Sequence, residues 1–110
     1  LVHEASFCDY EIYRARETNH STAADAAAIA RAAHVRLLAL THLSNRYFGP
    51  EVAREAREIF PETVVPKDFD IIELPFRERG EPRLVKGGAL AGEEARAPAV
   101  AAVPAIEEGQ

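Results

Sequence analysis

Residues 22–41, TAADAAAIARAAHVRLLALT, leave the fold little freedom. Thr22 with Asp25 three positions on outlines a capping box, and the alanine-rich run behind it has high helix propensity. Ala26, Ile29, Ala30 and Ala33 recur at helical spacing, which predicts a helix over about Thr22 to Ala33 with a small apolar face that packs closely against a sheet. VRLLALT, Val35 to Thr41, is short and almost continuously apolar, the pattern of a strand buried on both faces. Helix followed by buried strand predicts an α/β fold.

The flanking segments extend this pattern. LVHEASF reads as an extended, apolar start that lies in the middle of a strand, so Leu1 is expected to be a cut rather than a natural beginning. CDYEIYRARET is polar and mixed, the composition of a loop or of one irregular helical turn. HLSNRYFG leaves the carboxyl end of the buried strand as a loop. Pro50 suits the first turn of a second helix whose apolar face is Val52, Ala53, Ala56, Ile59 and Phe60, with Pro61 ending it. TVVP and FDIIELPF read as two more short strands. After Phe76 the pattern dissolves into breakers, charges and small residues, which bury too little apolar surface to offset the entropy of ordering. Residues 1–76 are thus the expected folded part, and 77–110 a disordered Ala/Pro/Glu-rich tail or, alternatively, a partner-binding one.

A length of 110 residues and a net charge of -5 fit one small domain. Arg14, Arg16, Arg31, Arg46, Arg54 and Arg57 are scattered among acids rather than clustered as a phosphate-binding patch would be. Cys8 is the only cysteine, which excludes an internal disulfide and a thiolate-rich zinc site. No apolar run approaches the roughly 20 residues that span a bilayer, and the first residues lack a signal-peptide pattern. A soluble, cytoplasmic protein without membrane partners is expected.

Position singles out three residues. His42 lies just past the buried strand, where α/β proteins place ligands and catalytic groups. It is a candidate zinc ligand, the other ring nitrogen being oriented by a neighbouring acceptor, or else a loop histidine in an ordinary hydrogen bond. His20 precedes Ser21 and Thr22 at a helix start, where free N–H groups and a partial positive charge suit a phosphate oxygen. It is a candidate proton donor there, or an exposed histidine beside an N-cap. Glu4, at the end of the first strand, falls on the same sheet edge and could orient His20 for proton donation. His34 is expected to be structural or surface.

Three stretches in this order, HEASF at His3 to Phe7, NHSTAADAAAIA from Asn19 and THLSNRY at Thr41 to Tyr47, resemble the HEAT, HST and final-histidine motifs of ribonuclease Z. That family comprises tRNA 3′-processing endonucleases of the metallo-β-lactamase superfamily. AREAREIFPETVVPKDFDIIELP also looks like the family's C-terminal end, so the resemblance covers roughly Leu1 to Pro75. It implies the C-terminal portion of a metallo-β-lactamase αββα sandwich, with His42 a zinc ligand, His20 the proton donor and Glu4 its carboxylate partner. Ser21 and Thr22 would shape a phosphate-facing loop. Ser44 and Arg46 would support the site, Arg46 meeting a phosphate or a carboxylate.

Ser6 stands where the HEAT pattern has threonine and keeps the hydroxyl. Asn19 stands where glycine is usual, and asparagine tolerates a left-handed backbone. The H-x-H-x-D-H metal motif is absent from the chain. The resemblance therefore implies two zinc ions, a precursor tRNA substrate and a homodimer for the complete protein, and an inactive chain in isolation. The alternatives are a related metallohydrolase acting on small phosphodiesters or sulfate esters, and a truncated non-catalytic fragment.

Overall fold

The computed structural model describes residues 1–87. In chain order its elements are β1 (Val2–Glu4), a 3-10 turn (Asp9–Glu11), α1 (Ile12–Thr18), α2 (Ala23–Ala33), β2 (Leu38–Thr41), α3 (Gly49–Arg57), β3 (Thr63–Val64), β4 (Ile71–Glu73), a second 3-10 turn (Arg77–Arg79) and β5 (Arg83–Val85). Strands β1, β2 and β3 form a parallel sheet in that order, while β4 and β5 pair as an antiparallel ribbon.

The α2 capping box is complete. Thr22 Oγ1 accepts from the Asp25 N–H, and an Asp25 carboxylate oxygen accepts from the Thr22 N–H, each at 3.0 Å. The buried stripe of α2 is Ala23, Ala26, Ala27 and Ala30, whereas Ile29 is 48% exposed and Ala33 is also exposed. The expected apolar face is thus turned by about one residue. The alanines share one core with Leu38, Leu40, Val52, Ala53 and Ala56, where short side chains allow the close, dense packing of a protein interior.

Strand β2 is buried on both faces, as its sequence implies. Leu38 and Leu40 face the helices, and Ala39 with Leu37 faces the other way onto Val64, Leu84 and Ile72. This two-residue alternation sorts the chain into layers: helices α2 and α3, the parallel sheet, then the β4–β5 ribbon.

Two expectations change. Residues 12–18 form a helix rather than a loop or a single irregular turn, anchored by the fully buried Ala15 and by Arg16, which grips both Asp25 oxygens at 2.8 and 3.1 Å. Residues 77–87, assigned to the tail, include β5, whose Leu84 and Val85 are buried. The ribbon orders them because Leu84 closes the second core and Arg36 donates to the Pro75 and Gly80 carbonyls across the turn. From residue 88 onward the expected tail lies outside the described residues. No helix among the described residues is long and apolar enough to cross a membrane.

Candidate functional site

Parallel pairing brings the site together. Glu4 is in register with Thr41, and the Ala5 N–H donates to the Thr41 carbonyl at 2.9 Å, so Ser6 and His42 leave adjacent strand ends side by side. Phe7 then pairs with Thr22, accepting the Ala23 N–H at 2.9 Å and donating to the Ser21 carbonyl at 3.3 Å. This clips the turn before α2 onto the same edge and delivers His20. Asn19 takes the left-handed backbone that its position requires, with φ 61°.

Glu4, His20 and His42 converge, with ligand-type atoms all within 4.8 Å of one another. His20 Nδ1 lies 3.1 Å from Glu4 Oε1, and His42 Nδ1 lies 3.8 Å from the same oxygen. The two imidazoles stack at 5.2 Å with an 18° interplanar angle, and the Phe7 ring lies 6.2 Å from that of His20, tilted by 58°. The Ser21 N–H donates to Glu4 Oε2. Burial pushes the Glu4 pKa upward, but hydrogen bonds from Ser6, the Ser21 amide and His20 outweigh it and lower it below the ordinary carboxylate value. Glu4 is therefore a carboxylate with two rings gathered on it. His42 has a left-handed backbone, φ 58°, a conformation that costs a side-chain-bearing residue about 1–2 kcal/mol.

For Ser21 and Thr22, expected to shape a phosphate-facing loop or to support the site, the backbone amides at the start of α2 all have partners within the protein. Ser21 donates to Glu4, Thr22 to Asp25, Ala23 to Phe7, Ala24 to Glu55 and Asp25 to Thr22. Thr22 is fully buried. The backbone N–H groups of residues 21–25 are thus satisfied by the protein itself, and an anion at this helix start would have to displace one of these partners.

Ser44 and Arg46 lie apart from the cluster. Ser44 Oγ accepts the Arg46 N–H at 3.2 Å, and the Arg46 guanidinium meets the Glu11 carboxylate, one of its two expected kinds of partner. Tyr47 Oη donates to the same carboxylate. His34 is exposed and caps the end of α2 with φ 56°. The Cys8 thiol is buried, and burial first, then Glu55 and Glu51, push its pKa up to about 12, which makes it inert as a nucleophile.

Two organising residues, one in the cluster and one beside it, were not singled out by sequence. Ser6, 5% exposed, touches Glu4 and both histidines. It follows Glu4 by two in an extended segment, so strand alternation places both on one side. Glu11 carried only the weak local signal of Arg14 three positions on, since its partners Arg46 and Tyr47 lie 35 and 36 residues away.

The chain is thus an α/β protein with a histidine–carboxylate site at the carboxyl edge of a parallel sheet. Relatives are specific about which kind. It is 47% identical over 83 residues to the ribonuclease Z of Enterococcus faecalis, covering 73% of this chain and 26% of that protein. It is 49% identical over 80 residues to that of Gemmatimonas aurantiaca, covering 71% and 26%. It is 48% identical over 86 residues to that of Lacticaseibacillus casei, covering 74% and 27%. No family model matches the chain. The chain belongs to the ribonuclease Z family and spans about a quarter of the length of these curated relatives.

Proposed function

We propose that this chain is the C-terminal part of a zinc-dependent endoribonuclease that removes the 3′ trailer of precursor tRNA by phosphodiester hydrolysis. The carrying observation is the convergence of Glu4, His20 and His42, drawn from three separate stretches, on one sheet edge. Ribonuclease Z relatives support the substrate class. The complete protein is proposed to be a cytoplasmic homodimer of metallo-β-lactamase sandwich fold.

Two imidazoles and a carboxylate suit zinc by donor type. Their hydrogen bonds divide the labour: Glu4 is occupied by Ser6, His20 and Ser21, so it acts as an orienting anion rather than as a ligand. His42, exposed and turned toward the cluster by Nδ1, would hold the metal through Nε2. Zinc bound there and at ligands elsewhere in the complete protein would activate water and stabilise phosphate charge. His20 gives its Nδ1–H to Glu4, which fixes the ring and aims Nε2 to deliver a proton to the leaving oxygen.

The test is cleavage of a precursor tRNA by the complete protein. His20→Ala should slow cleavage by about 10²–10⁴-fold with bound zinc retained. His42→Ala should lose zinc as well, and unchanged zinc stoichiometry would defeat the ligand assignment. Preference for a small chromogenic phosphodiester over precursor tRNA would favour the broader metallohydrolase reading.

A further inference from the structure

We propose that Ser6 is a positioning residue that sets the tautomer of His42, holding the proton on Nδ1 so that Nε2 presents a lone pair to the metal; this rests on the reading of His42 as a ligand. Ser6 is almost completely buried, yet its single hydroxyl sits among four polar atoms. Glu4 Oε1 is at 2.7 Å, His42 Nδ1 at 2.8 Å, the His42 carbonyl at 2.9 Å and His20 Nδ1 at 3.3 Å.

A hydroxyl carries one proton and two lone pairs. The charged Glu4 oxygen is both the nearest acceptor and the strongest, so the Ser6 O–H donates there. The remaining lone pairs then face His42 Nδ1 at 2.8 Å, a contact that is attractive only if that nitrogen carries hydrogen. Glu4 Oε1, at 3.8 Å from the same nitrogen, favours a proton there too. The hydrogen bond at one ring nitrogen decides which nitrogen is left for a metal. The His42 carbonyl, at 2.9 Å, competes as an acceptor for the one Ser6 proton, and the nearer, charged Glu4 oxygen takes it. Removing the Ser6 oxygen leaves Nδ1 without its nearest partner and frees the proton to move to Nε2.

The experiment is nitrogen-detected NMR of the metal-free complete protein, with ¹⁵N-labelled histidine and a pH at which the imidazoles are neutral. Wild type should show His42 as the Nδ1–H tautomer. Ser6→Ala should shift it toward Nε2–H, and Ser6→Thr, which restores the hydroxyl, should return it. Zinc affinity should fall by about 10–100-fold in Ser6→Ala and recover in Ser6→Thr. An Nε2–H tautomer in wild type overturns the assignment whatever the zinc affinity does, and it needs no variant to fold. An unchanged tautomer in a folded Ser6→Ala protein overturns it as well. Zinc retained by His42→Ala would instead defeat the ligand reading beneath it, so the two failures are distinguishable.

Discussion

Glu4 and Glu11 are both hydrogen-bonded carboxylates held below their ordinary pKa, yet they sit in different chemistry. Glu4 meets two imidazoles, a hydroxyl and a backbone amide. An imidazole can carry its hydrogen on either ring nitrogen, and these two rings are partly open to solvent. Glu11 meets the guanidiniums of Arg46 and Arg14, whose charge is fixed, and the Tyr47 phenol. The phenol pKa is pushed up to about 12, by burial and then by its bond to Glu11. A carboxylate alone does not distinguish the two regions; the kind of side chain it holds does. Glu4 governs groups that can move a proton, and Glu11 ties the 3-10 turn at Asp9–Glu11 to the loop that follows His42.

Substitution can sharpen or erase this contrast. The largest effect is expected for Glu4→Gln, which should slow precursor-tRNA cleavage by the complete protein by about 10²–10⁴-fold in single-turnover assays with zinc content retained. Glu11→Gln should cost far less activity, and equal losses would abolish the distinction. Tyr47→Phe should lower stability by about 0.5–1.5 kcal/mol in urea unfolding while leaving bound zinc unchanged. A difference titration of ultraviolet absorbance between wild type and that variant should show a phenol ionising near 12. The folded Tyr47 pKa is raised, so its stabilisation is complete below the ordinary tyrosine value and is lost as pH rises through about 12.

The smallest expected effect is at the acid end. The Tyr47 hydrogen bond is the chief cause of the lowered Glu11 pKa, so that stabilisation is present above the ordinary glutamate value and fades as pH falls through the lower folded one. Glu11→Gln should therefore flatten the fall in melting temperature as pH drops through the carboxylate range. An identical pH profile in the variant would remove Glu11 from the acid response.

Legibility followed the range of each interaction. The Thr22–Asp25 capping box spans three residues, and it is present as its spacing implies. Helix α1 was hidden because its polar sequence has one fully buried residue, Ala15, and its tie to Asp25 comes from the next helix. Strand β5 was hidden because a two-residue apolar pair among charges shows no period, although Leu84 closes a core. The helix start looked ready for an anion because sequence does not show that Glu4, Phe7 and Glu55 would reach its amides first.

By itself the sequence determined the local elements: the capped alanine helix, the apolar strand, the left-handed turn at Asn19 and the identities of Glu4, His20 and His42. Each depends on backbone propensity and spacing within a few residues, which the chain carries wherever it goes. Only the tertiary structure decided that Ser6 stands among both histidines, that Arg46 is held by Glu11 and that residues 77–87 complete a core. Those outcomes depend on which side chains parallel pairing brings within hydrogen-bond or van der Waals reach, and those distances arise only once the strands lie in register.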